Sequence, residues 1–208
     1  WFGLDPATGQ PVYTADGSLA SPRHAIDTER CRNQAQTLVN YPQPGVVGVA
    51  AGSANPRAEF NVILSGWAAN LVGPNYRFSG NFMNVLPNGT SNFDIAYDVN
   101  GPTSIGDAFI EIGRQPDNIL IGTDGDGVND AQEGNVFGGI SAYPFNPPVT
   151  GKPNYYYLDF YYGPTPSTPV QGTNIVIAGN YFGIAVDGVT RFTNACVLVH
   201  SFNSTGNG

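Results

Sequence analysis

The chain has 208 residues, with 27 Gly and 17 Pro, a formal charge of −8 and a single lysine, Lys152. With so little basic character it cannot assemble a phosphate-neutralising patch, which argues against nucleic acid and against an anionic membrane surface as partners. No apolar run approaches the ~18 residues of a spanning helix, so membrane insertion is not expected, and the plentiful Tyr and Phe separate the chain from disordered sequences.

Residues 1–45 read as an irregular N-terminal segment. Asp5-Pro6-Ala7-Thr8-Gly9 and Ala15-Asp16-Gly17 are turns, and Pro11-Val12-Tyr13 between them predicts a strand of a small hairpin. Residues 23–37 have poor apolar periodicity and predict at most two helical turns. Trp1, where an initiator Met would stand, reads as the start of a processed chain or of a fragment.

Residues 46–200 form the second unit. Short β-branched and aromatic runs alternate with Gly, Asn and Pro, and the clearest predicted strands lie within residues 60–66, 118–122, 134–139 and 174–181. Strands this short need neighbours that stack on them. Residues 201–208 read as a flexible polar tail. The texture is all-β throughout, with a β-sandwich as the alternative to a solenoid.

One segment repeats at long range. Residues 73–93 and 172–192 align without a gap at an offset of 99, placing Gly73, Asn75, Gly80, Asn81, Phe82, Gly89 and Phe93 on Gly172, Asn174, Gly179, Asn180, Tyr181, Gly188 and Phe192. Solenoid repeats of about 20–29 residues would fit four or five coils into that offset. Asn61, Asn81, Asn100, Asn118, Asn135, Asn154, Asn174 and Asn194 lie 17–20 positions apart and predict an axial ladder of bonded side chains.

The segments 179–188, Gly-Asn-Tyr-Phe-Gly-Ile-Ala-Val-Asp-Gly, and 121–136, with Gly-Thr-Asp-Gly-Asp and Glu-Gly-Asn-Val, resemble the repeats of right-handed parallel β-helix proteins. The resemblance covers about residues 58–195. It implies a right-handed parallel β-helix with long loops, in a secreted or surface protein of bacterial type. It does not select among lyases, adhesins and structural proteins.

The loop at 123–133 looks like a calcium loop of the Asp-x-Asp-Gly kind. Hard Ca²⁺ takes six to eight oxygens, and Asp124, Asp126, Asp130 and Glu133 offer carboxylates, with the Val128 carbonyl beside them. On the twelve-residue template the first place falls on Gly122, which has no side-chain oxygen. The alternative is an acidic, Gly-rich corner without an ion. At 155–162, period-two alternation puts Tyr156, Leu158, Phe160 and Tyr162 on a core face. It puts Tyr155, Tyr157, Asp159 and Tyr161 on the other, an aromatic surface for another protein or a sugar. A strand buried on both sides is the alternative.

No enzyme signature is found: Lys152 sits in a Gly-Lys-Pro loop, His24 and His200 lie near opposite ends, and Asp94 and Asp98 have no acid/base partner. Cys31 and Cys196 are either free thiols or, being near opposite ends of a solenoid, an intersubunit disulfide. Asn88-Gly89-Thr90 and Asn203-Ser204-Thr205 are glycosylation sequons. The expectation is an extracellular structural or adhesive protein of the cell surface that self-assembles head to tail, stabilised by Ca²⁺ and able to meet a cell-surface glycan. A polysaccharide lyase or hydrolase and a carbohydrate-binding module on the same scaffold are the alternatives.

Overall fold

A computed structural model describes residues 2–13, 15, 25–27, 45–65, 68–93, 108–113, 116–139, 156–161, 172–192 and 197–201. In chain order the strands are β1 (Ile26–Asp27), β2 (Gly45–Gly48), β3 (Val62–Ile63), β4 (Ala69–Val72), β5 (Tyr76–Ser79), β6 (Phe82–Met83), β7 (Ala108–Gly113), β8 (Ile119–Gly122), β9 (Val136–Phe137), β10 (Tyr156–Tyr161), β11 (Ile175–Ala178), β12 (Tyr181–Phe182) and β13 (Val197–Ser201). Two single-turn helices, α1 (Pro56–Glu59) and α2 (Asp130–Glu133), lie between β2 and β3 and between β8 and β9. Most strands end at a Gly or Asn with positive φ, such as Gly48, Gly80, Gly122 and Gly179, which is why none grows long.

Each strand pairs in parallel with the strand three places along the chain. The sheets run β1-β4-β7-β10-β13, β2-β5-β8-β11 and β3-β6-β9-β12. The chain therefore visits three sheets in fixed rotation, and one visit to all three is a circuit. A sandwich of antiparallel sheets is excluded, because every pairing between these strands is parallel. Around residues 1–13 the expected hairpin is present in outline: Leu4 bridges Pro11 across the turn at 5–9, and Phe2 bridges Ile63 at the edge of β3.

The repeat length differs from the sequence expectation. Val46 pairs with Arg77, Arg77 with Leu120 and Leu120 with Val176, so successive circuits advance by 31, 43 and 56 residues. The 99-residue echo spans two circuits, not four or five, because the connections between sheets vary in length while the strands do not. A second gap-free echo lies at an offset of 74, between residues 45–63 and 119–137. It aligns Gly48 with Gly122, Glu59 with Glu133, Asn61 with Asn135 and Val62 with Val136. Circuits with a long corner carrying a one-turn helix thus alternate with circuits whose corner is a tight Gly-Asn pair, Gly80-Asn81 or Gly179-Asn180.

The core is built from rungs that cross the sheets. Ile63, Met83 and Phe137 are fully buried on one rung, and Phe78 and Ile121 on another. Phe137 stacks on Phe182 with centroids 4.7 Å apart. Tyr157 stacks on Phe109 at 5.9 Å and meets Phe137 and Phe182 at 5.7 and 5.2 Å. Tyr157, read from alternation as a surface residue for a ligand, is instead 2 % exposed. Aromatic side chains on neighbouring circuits stack in register, and that packing outweighs the polar company of Asp159, itself only 6 % exposed. Tyr155, Cys31, Cys196 and Asn203 lie outside the described residues, as does the side chain of Tyr161.

Among the described residues the asparagines form two ladders rather than one; Asn100, Asn154 and Asn194 of the expected ladder lie outside them. In the inner ladder the Asn61 Nδ2 donates to Asn81 Oδ1, Asn81 Nδ2 to Asn135 Oδ1 and Asn135 Nδ2 to Asn180 Oδ1, at 2.9, 3.0 and 2.8 Å. In the outer ladder Asn174 Nδ2 donates to Asn118 Oδ1 and Asn118 Nδ2 to Asn75 Oδ1, at 2.9 and 3.1 Å. The outer three all have φ between 54° and 65°, a conformation Asn tolerates better than other side chains.

Candidate functional site: the acidic corner at Asp124–Glu133

Gly122 ends β8 with φ 106° and turns the chain outward. The loop that follows is held by its own side chains. Gly125 N–H donates to Thr123 Oγ1, Asp126 N–H to Asp124 Oδ1, Val128 N–H to Asp126 Oδ1 and Gly127 N–H to Asp130 Oδ2. Thr123 Oγ1 also donates to Asp130 Oδ1 at 2.7 Å. These turns bring one carboxylate oxygen each of Asp124, Asp126 and Asp130 within 4.8 Å of one another. Three such oxygens are within reach of a single hard cation.

Glu133, the fourth expected ligand, faces another way. It is fully buried, its Oε2 accepts the Asp124 N–H at 3.2 Å, and its Oε1 lies 2.5 Å from Arg77 Nη2. That last contact is an ion pair without the direction of a hydrogen bond. Arg77 also donates from Nη1 to Asp124 Oδ2 at 2.7 Å and from Nε to the Val49 carbonyl at 3.0 Å. One guanidinium on β5 therefore links the long corner before it to the long corner after it. The Arg77 hydrogen bond is the main reason the Asp124 carboxyl is held below its usual range, with partial burial opposing it.

The corner at 49–60 has the same plan without the aspartates. Glu59 Oε2 accepts the Ala50 N–H at 2.9 Å, as Glu133 accepts that of Asp124, and its Oε1 accepts the Ser53 hydroxyl at 2.6 Å. Those two bonds, the backbone one first, lower the Glu59 carboxyl. Asn129 Nδ2 donates to the Ser53 carbonyl and ties the two corners together. Sequence reasoning missed Arg77 and Glu59; the signal was the Glu-x-Asn spacing after a strand-ending Gly, repeated at 48–61 and 122–135.

Two further features lie away from this corner. On the first sheet, register places Asn70, Glu111, Asp159 and His200 on one rung of adjacent strands; Asn70 and Asp159 are each 6 % exposed. The echo segments end in matching hairpin tips: Asn88 Oδ1 accepts the Thr90 and Ser91 N–H groups, and Asp187 Oδ1 accepts those of Val189 and Thr190. The two tips touch, Val186 N–H donating to the Gly89 carbonyl at 3.2 Å.

Comparison with protein-family models, with curated proteins and with solved structures finds no match.

Proposed function

We propose that the three sheets are the faces of one right-handed parallel β-solenoid, and that the protein is an extracellular structural or adhesive scaffold that associates with itself end to end. Parallel strands joined by crossovers turn right-handed almost without exception, and the three-strand rotation supports closure. The observation that carries the self-association is the edge at β11 and β12, on which no described strand lies. Ile177 is 37 % exposed, whereas Phe78 and Ile121 on the same rung are fully buried. The Asn81 and Asn135 N–H groups each reach the next Asn in the ladder, while Asn180 has no next Asn among the described residues. Parallel edges left in this state recruit further strands. Sedimentation equilibrium over a concentration series tests the reading; monomers at the highest concentration, with and without Ca²⁺, would remove it. Ca²⁺ at Asp124, Asp126 and Asp130 belongs to the same proposal as a stabiliser of the corner, and it fails if Tm is the same in millimolar Ca²⁺ and in EDTA.

A polysaccharide lyase or hydrolase is the second reading, favoured by Glu111 beside Asp159 on adjacent strands. A pair of carboxylates is the equipment of glycoside cleavage, although the burial of Asp159 weighs against access by a polymer. Turnover of any member of an acidic-polysaccharide panel, lost in Glu111→Gln, would favour this reading over the scaffold.

A further inference from the structure

We propose that the long corners and the hairpins are two interleaved clasps, each reaching across a whole circuit, and that they make the described circuits open as one unit rather than one at a time. This is a property of the single chain and goes beyond end-to-end association.

Thickness is the starting point. Neighbouring strands lie ~4.8 Å apart, so β2 and β8, which flank β5, are separated by about 10 Å. A helix with its side chains is about 10–12 Å across. A corner that carries α1 or α2 therefore fills the height of two circuits. Two such corners fit only if the circuit between them turns tightly, and Gly80-Asn81 is that turn.

The two long corners meet across it. Asn129 Nδ2 donates to the Ser53 carbonyl at 2.7 Å, and α1 lies against α2. From the circuit between them, Arg77 bonds to the Val49 carbonyl on one side and to Asp124 on the other. Gly80 N–H donates to the Glu133 carbonyl at 2.6 Å. A Cβ on Gly80 would lie 2.4 Å from Val49 Cγ2 and 2.6 Å from the Gln132 carbonyl oxygen. The tight corner is gripped from both sides.

The hairpins do the same one circuit further on. Residues 85–92 follow β6 and residues 184–191 follow β12, with β9 between those strands. Val186 N–H reaches the Gly89 carbonyl over that gap, and a Cβ on Gly89 would lie 2.7 Å from Val186 Cγ2. Beneath them Val136 of β9 is fully buried in one cluster with Val85, Ala185 and Phe192. The corners thus close over the circuit of β5 and β6. The hairpins, one of which belongs to that circuit, close over the circuit of β8 and β9. Neither circuit can leave without opening a clasp formed by the circuits on either side of it. A stack held only by contacts between neighbours would instead open piecewise.

Native-state hydrogen exchange of the full chain tests this, with Asn129→Gly and Val186→Ala as the variants. Asn129→Gly removes the bond to Ser53 and keeps the left-handed backbone, φ 61°. Val186→Ala removes the methyl groups that meet Gly89. Four amides report on opening between successive circuits: Asn81, bonded to Asn135 Oδ1, and Phe82, Val136 and Tyr181, bonded to the Asn61, Asn81 and Asn135 carbonyls. Asn129→Gly is expected to quicken all four by a common factor of roughly five, the equivalent of one net hydrogen bond, although its side chain bonds to Ser53 instead. Val186→Ala should also quicken the four together. Exchange that quickens only within 49–60 and 123–135 in the first variant, or only within 85–92 and 184–191 in the second, overturns the clasps, as does no change at any amide. An effect present only at high protein concentration belongs to association between copies and also counts against them.

Discussion

Asn135 has no solvent exposure, and its side chain makes four hydrogen bonds. Oδ1 accepts the N–H and Nδ2 of Asn81, and Nδ2 donates to the Phe78 carbonyl and to Asn180 Oδ1. Asn135→Ala orphans buried partners on two neighbouring circuits and is expected to cost about 3 kcal/mol in denaturant unfolding. Asn118, in the exposed outer ladder, presents a different balance. Its φ of 54° favours Asn and Gly over Ala, so Asn118→Gly should destabilise less than Asn118→Ala, the latter by about 1 kcal/mol. Arg77 combines both concerns. Arg77→Ala leaves Glu133 charged and fully buried without its counter-ion, and an expected loss of about 3 kcal/mol follows. Arg77→Lys recovers only part, because an ammonium cannot span Val49, Asp124 and Glu133 at once. Asp124 titrates below its ordinary value of 3.8 because of this arginine. Its contribution is complete above the unfolded value and fades as pH falls through the folded one. The stability advantage of the parent over Asp124→Asn should therefore be full above about pH 4 and shrink as the pH falls further, the two unfolding free energies converging in acid; a difference that does not change with pH would show the pair to be silent.

Corners, rather than strands, carry the information at the level of elements. A Cβ on Gly122 would lie 1.8 Å from the Ala178 carbonyl oxygen, with φ at 106° besides, whereas one on Gly125 would meet nothing within 4 Å. Gly122→Ala is expected to separate two circuits and cost about 3 kcal/mol or more. Gly125→Ala carries only the left-handed backbone term of about 1 kcal/mol, so the difference in urea midpoint between these variants measures the stacking. The sequence made part of this legible. The 99-residue echo was readable because its matches are Gly, Asn and aromatics, whose backbone demands resist substitution. The 74-residue echo was not, because Ala50-Ala51-Gly52-Ser53 and Asp124-Gly125-Asp126-Gly127 solve the same corner with different residues. Even spacing of asparagines misled for a related reason: loops of unequal length put Asn118 and Asn174 on one ladder and Asn81 and Asn135 on another. Arg77 could not have been foreseen, since its acidic partners lie 47 and 56 positions away and meet it only through stacking.

For the molecule as a whole, in the solenoid proposed above, stability is a sum over circuits and their interfaces, which makes the position of a residue along the axis as important as its type. Ile121 and Ile177 test this, since they are the same side chain at paired positions of β8 and β11. Ile121 is fully buried between Phe78 below and Ile177 above. Ile177 is 37 % exposed because no described strand lies above β11. In an isolated molecule Ile121→Ala should therefore cost about 3–4 kcal/mol, and Ile177→Ala about 1–2 kcal/mol. Stacking changes that inequality. A second copy seated on β11 would bury Ile177 under Val47 of its β2, giving it the surroundings that Ile121 has inside the chain. The penalty of Ile177→Ala should then grow with protein concentration toward that of Ile121→Ala, which should stay constant. Thermal unfolding of both variants across a hundredfold range of concentration measures this directly, because only an interface between copies makes Tm depend on concentration. A penalty for Ile177→Ala that stays flat over that range would mean that no second copy seats on β11.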